Sequence, residues 1–136
     1  MSELESNRSL LTAKENRDID IEISFLEGLI DRDHKYIEAL QLLGDDYTKR
    51  GKFYDGLKVD KHLAKLLPEN SMVFYNLACS YSLTNNINEA FKALSKAVHL
   101  GYNDSEWMDI DPDLMNVRTD PRYQSIRQEL ANKSAT

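Results

Sequence analysis

Few residues in this chain are of a type that does chemistry. The candidate nucleophile is Cys79, and the titratable imidazoles are His34, His62 and His99. A thiol attacks only as its thiolate, which needs a base or a positive field beside it. The three histidines are scattered, and none has a spacing that places it next to Cys79 on one helix. Cys79 therefore reads as a small packing residue, in keeping with the behaviour of free cysteines in general. The stretch "DIDPD" from Asp109 sets acids at alternate positions, like the opening of a calcium loop. Such a loop also needs Gly at its sixth place and Glu at its twelfth, where this chain has Leu114 and Asp120, so the calcium reading fails. Zinc needs clustered Cys or His ligands, and none are clustered. No cofactor is implied and no enzymatic activity is expected. Lys58, Lys61 and Lys65 form a stripe on one helix face, the pattern of a solvated surface.

Composition bounds the rest. A chain of 136 residues is the size of one domain, and 41% hydrophobic with 29% charged residues, 5 Gly and 3 Pro is the mix of a helix-rich globular protein. A single cysteine forms no internal disulfide, and "MSELESNRSL" lacks the cationic and apolar runs of a secretion signal, which points to the cytoplasm. The net charge of -6, with both ends acidic and the middle slightly basic, argues against nucleic acid as a partner. No apolar run is long enough for a membrane span.

The periodicity positions these residues. Residues 1–17 read as a polar tail. From Asp18, Ile19, Ile23, Leu26 and Ile30 mark one helical face and Ile21, Phe25 and Leu29 a second, so residues 18–34 form a capping helix sandwiched between the following helices and something else, with self-association as one outcome. Two helical hairpins follow over 35–102. "LGDDYTKRG" from Leu43 and "LACSYSLTN" from Leu77 align leucine on leucine and tyrosine on tyrosine, 34 positions apart. At that offset Leu40 pairs with Phe74, Gly44 with Ala78, Gly56 with Ala90 and Leu63 with Ala97. Small and large residues fall in the same places, as close antiparallel helix packing requires. Asp60 breaks the pattern and is expected to face solvent or to pair with Lys61 or Lys65. "DPDLMNV" and "DPRYQSIRQEL" are two helix starts with Asp at the cap and Pro behind it. Residues 103–136 thus read as capping helices and a tail, with Trp107, Met108, Leu114, Tyr123, Ile126 and Leu130 over the last hairpin.

The alternation of Leu40, Leu43, Gly44, Tyr47, Gly56, Leu63 and Pro68, repeated as Phe74, Leu77, Ala78, Tyr81, Ala90, Leu94 and Ala97, resembles the tetratricopeptide repeat, and "GYNDSEWMDIDPDLMNVRTDPRY" resembles the closing segment of small bacterial members. The resemblance implies an all-α fold, a right-handed superhelical stack of antiparallel helix pairs forming an α-solenoid of about six to seven helices. It further implies a non-catalytic module that holds a peptide or helix of a partner protein in a concave groove, or, as the alternative, a small chaperone for a secreted or assembling substrate. Carried over by position, the groove lining is Glu38, Gln41, Asp45, Thr48 and Lys49, then Met72, Tyr75, Asn76, Cys79 and Ser82. Asn76 stands where the family bonds a peptide backbone. Gln41 and Asp45 stand where members that clamp a chain-terminal carboxylate use Lys and Asn, so the partner segment is expected to be neutral or basic.

Overall fold

The structure, a computed structural model, describes residues 10–134. Residues 1–9 of the expected tail, and 135–136, lie outside it. The order of elements is α1 (Ala13–Arg32), α2 (Ile37–Lys49), α3 (Phe53–Leu66), α4 (Ser71–Leu83), α5 (Ile87–His99), α6 (Ser105–Ile110), a 3-10 turn (Pro112–Leu114), α7 (Met115–Arg118) and α8 (Arg122–Ser134). No strand occurs among the described residues. The described residues form eight α-helices where about six to seven were expected, because Pro112 and Pro121 cut the C-terminal segment into short pieces.

Helix α1 begins at Ala13, five residues before Asp18. Thr12 and Glu15 form a capping box, the Thr12 hydroxyl accepting from the Glu15 amide at 3.1 Å while the Glu15 carboxylate accepts from the Thr12 amide at 3.2 Å. Those reciprocal bonds satisfy two amides that would otherwise have no partner. The Asn70 side chain caps α4, accepting from the Val73 amide at 3.1 Å. The turns between paired helices repeat as faithfully as the helices. Gly51 and Asn85, 34 residues apart, both adopt left-handed backbone, with φ of 73° and 64°. Glycine adopts it without penalty and asparagine at small cost.

Consecutive helices pack on one another from α1 to α5, α8 lies against α5, and the 3-10 turn and α7 lie against α4. The apolar interior falls into two joined clusters. One gathers Ile23, Leu26, Leu40, Leu43, Val59 and Leu63 beneath α1. The other gathers Ala78, Leu94, Val98, Met108, Leu114 and Ile126 beneath the C-terminal helices. Small residues let α2 and α3 approach closely. A Cβ on Gly44 would sit 3.3 Å from Asp60 Oδ1 and 3.4 Å from Val59, and one on Gly56 would sit 3.4 Å from the Thr48 hydroxyl. The equivalent Ala78 and Ala90 are fully enclosed.

Three expectations need correction. Trp107 does not cover the last hairpin; it is 45% exposed, while its neighbour Met108 turns inward. The second apolar face of α1 is not sandwiched, since Ile21 and Phe25 are 70% and 65% exposed. Asp60 neither faces solvent nor pairs with a lysine: it is buried and accepts a hydrogen bond from the Ser80 hydroxyl.

The two kinds of helix glycine should respond oppositely to added bulk. Gly44→Val should destabilise by about 1–3 kcal/mol through overpacking. Gly28→Ala, where nothing lies within 4 Å, should stabilise the isolated chain by about 0.5–1 kcal/mol. Urea denaturation of both variants in dilute solution reads the difference.

Candidate functional site: an acidic groove between α2 and α4

Helices α2 and α4 form the walls of a groove whose floor is the buried Asp60 of α3. It consists of two adjoining cavities. The inner one, about 250 Å³, is lined by Gly44, Asp45, Thr48, Lys49, Asp60, Asn76, Cys79, Ser80, Leu83 and Asp113. The outer one, about 350 Å³, adds Gln41, Leu63, Asn70, Met72 and Val73 to the shared Asp45, Asp60 and Asn76. The helical spacing of Gln41, Asp45, Thr48 and Lys49 puts all four on the groove side of α2. Those four, with Met72 and Asn76, are the predicted residues that the structure brings together around the open part of the groove.

The remaining predicted residues are placed differently. Glu38 is exposed but lines neither cavity. Tyr75 and Ser82 are 2% and 0% exposed and line neither cavity, so the expectation that these two face a partner is corrected, while Cys79, 7% exposed, lines the inner cavity. The chain's own segment around 111–116 lies on that part of α4. The Tyr75 hydroxyl donates to Asp111 Oδ2 at 2.6 Å, the Cys79 thiol points to the same oxygen at 3.7 Å, and the Asn116 amide donates to the Ser82 carbonyl at 3.0 Å. Tyr75 also stacks on Tyr102, with ring centroids 4.2 Å apart. Arg118 fastens the segment from outside by donating to the Asp111 carbonyl at 2.6 Å and the Met108 carbonyl at 3.0 Å.

What is left open is acidic. Asp45, Asp60 and Asp113 converge on the inner cavity, where Lys49 is the one cationic side chain in the lining. Burial pushes the Asp60 carboxyl up to about 6, and the Ser80 hydrogen bond offsets only part of that rise. The Asp45 carboxyl is raised as well, chiefly by desolvation, with Lys49 pulling the other way. Behind the α2 wall, Asp46 is 4% exposed with Oδ2 unpartnered, and burial together with the nearby Glu22 carboxylate raises it to about 7.

Among the described residues, ligand atoms of Cys79, Asp111 and Asp113 lie within 4.8 Å of one another. Burial and the neighbouring Asp111 carboxylate hold the thiol protonated, and the Asp111 oxygens are taken by Tyr75, Cys79 and the Asp113 amide. This set works as a structural lock on the C-terminal segment, and the thiol is not poised as a nucleophile. Sequence reasoning missed Asp60 and Asp113 as groove residues and Asp111 as the buried anchor behind them. The signals were a charged residue at a core register position and an Asp-Pro cap, and neither shows which way its carboxylate points.

No known protein family's profile matches the chain. It is 32% identical over 99 residues to a chloroplastic protein of Arabidopsis thaliana, a match that covers 68% of this chain and 30% of that protein. It is 33% identical over 76 residues to a peroxisomal targeting signal receptor of Candida albicans, covering 56% of this chain and 13% of the receptor. The chain thus spans less than a third of the length of either relative. The paired-helix architecture is that of an all-helical, solenoid-like chain.

Two outcomes follow from the buried groups. Asp60 binds its proton more tightly folded than unfolded, so the protonated form favours the fold. Its contribution is fully present below about pH 4 and is lost as pH rises through about 6. Asp60→Asn, which preserves an acceptor for Ser80, should flatten that decline by up to about 3 kcal/mol, read from denaturation midpoints across pH 4 to 8. Tyr75→Phe should cost about 1–3 kcal/mol, because it leaves the buried Asp111 carboxylate short of a donor, and should expose Cys79 to thiol-specific labelling sooner than in the unaltered chain.

Proposed function

We propose that this chain is a tetratricopeptide-type repeat module that binds a segment of another protein in the groove between α2 and α4, without catalysis. The observation that carries the reading is the acidic groove: three converging carboxyls, an exposed Asn76 and one lysine in an opening several side chains long. The 34-residue register of small and large residues and the likeness to a receptor for peroxisomal targeting signals support it. A carboxylate-lined groove attracts Lys or Arg side chains and repels acidic ones. The exposed amide of Asn76 offers both a donor and an acceptor to an extended backbone, which gives affinity whatever side chains the segment carries. Met72 adds an adaptable apolar contact at the outer end, where it is 51% exposed. The self-occupied side of α4, which carries Tyr75 and Ser82, narrows the groove, so the bound segment is confined to α2 and the side of α4 that carries Met72, Asn76 and Leu83.

The reading is tested with an array of short basic, neutral and acidic peptides, followed by fluorescence polarisation of the best binders. Basic peptides should bind at least roughly tenfold more tightly than their charge-reversed counterparts, and Asp45→Asn and Asn76→Ala should each weaken binding by about fivefold to tenfold. Equal affinity for basic and acidic peptides would refute it.

A further inference from the structure

The outward side of α1 carries Lys14, Asp18, Ile21, Phe25, Gly28 and Arg32, alternating steps of four and three, and all six are exposed. That spacing lays them along one line of the helix. Two of them, Ile21 and Phe25, are large apolar residues that are 70% and 65% exposed. Register says what kind of object this line receives. Val59 and Ala93 stand one and two periods of 34 residues after Phe25, and both are buried. Val59 faces Gly44 of α2, and Ala93 shares a cleft with Phe74, Leu77 and Tyr81 of α4. The Phe25 side of α1 is therefore the side that, in the next two helix pairs, takes an antiparallel helix.

Gly28 adds a second observation. A glycine weakens the interior of a helix, and among the described residues no atom beyond the helix's own adjoining backbone lies within 4 Å of where its Cβ would be, so no packing contact there needs the missing side chain. On the same line as Phe25, it permits close approach from outside.

The charges identify the visitor. Asp18 lies seven residues before Phe25 and Arg32 seven after; Arg17 lies eight before and Asp33 eight after. All four are exposed. A two-fold axis at Phe25 exchanges each position with its mirror partner, bringing Asp18 of each copy to Arg32 of the other and Arg17 to Asp33, and leaving Ile21 one position from the mirror of Gly28. An isologous contact demands this kind of self-complementarity. We propose that the exposed face of α1 is a self-association surface, on which α1 of one copy packs antiparallel to α1 of a second copy about Phe25. One helix pair buries less than a standard interface, so the dimer is weak and dependent on concentration. The proposal is independent of what the groove binds.

Sedimentation velocity of the full chain over a concentration series tests it. The unaltered chain should move from monomer toward dimer as concentration rises. Phe25→Asp should remain monomeric with its unfolding midpoint unchanged, since the side chain is exposed. Asp18→Arg, which sets like charges opposite Arg32 twice per dimer, should raise the dissociation constant about tenfold. The double variant Asp18→Arg, Arg32→Asp reverses both signs and should restore association. An unaltered chain that stays monomeric to its solubility limit overturns the proposal. So does a dimer that survives Phe25→Asp, or a double variant no better than Asp18→Arg alone.

Discussion

The structure depends on how closely the two helices of each pair can approach. At the α2–α3 crossing a Cβ placed on Gly56 would stand 3.8 Å from the Gly44 carbonyl oxygen, so the two backbones are nearly in contact. At the α4–α5 crossing Ala78 and Ala90 occupy the equivalent positions with no exposure. Such approach fixes the crossing of each pair and leaves larger residues, Leu40, Leu43 and Leu63 in one pair and Leu94 and Val98 in the next, to fill the space on either side. With the pairs rigid, stacking α4 on α3 sets the separation of α2 and α4, and that separation is the groove.

The same closeness explains the acid on the groove floor. Asp60 can lie beneath α2 because Gly44 offers no side chain to displace it, and it is tolerated because Ser80 supplies a donor from α4. A buried carboxyl with one neutral donor is poorly compensated, which accounts for its raised affinity for a proton. Polar groups of this kind link three helices at one point, α2 by contact, α3 by origin and α4 by hydrogen bond. They also give the groove its sign.

A second buried acid performs a different task. Asp111 ends α6 and begins the 3-10 turn, and its side chain receives Tyr75 while capping its own turn at the Asp113 amide. It fills the distal part of α4 with the chain's own backbone, which turns a face that a longer stack would cover or leave open into interior. Among the described residues the first helix has no such closure. Its inner side is held by Ile23 and Leu26, by the Arg50–Asp20 ion pair and by the Tyr47 hydroxyl donating to Glu27, while its outer side keeps two large apolar residues in contact with solvent.

Much of this was legible in the residues themselves. Helix positions follow from apolar spacing, caps and breakers, all local properties: Asn70, an oxygen-bearing residue just before the helix, caps α4, and the turns at Gly51 and Asn85 fall where the repeat puts them. The early start of α1 was missed because the Thr12–Glu15 box lies in a polar stretch with few apolar markers. What the sequence by itself determined was the all-helical class, the pairing of helices and the 34-residue phase, because each depends on side-chain size and periodicity within one or two turns. Only the tertiary structure decided that Asp60 and Asp111 turn inward, that Tyr75, Cys79 and Ser82 are enclosed, and that Phe25 is left outside. Those outcomes turn on where a distant segment comes to rest, and a carboxylate's direction is set by whichever donor that segment brings within reach.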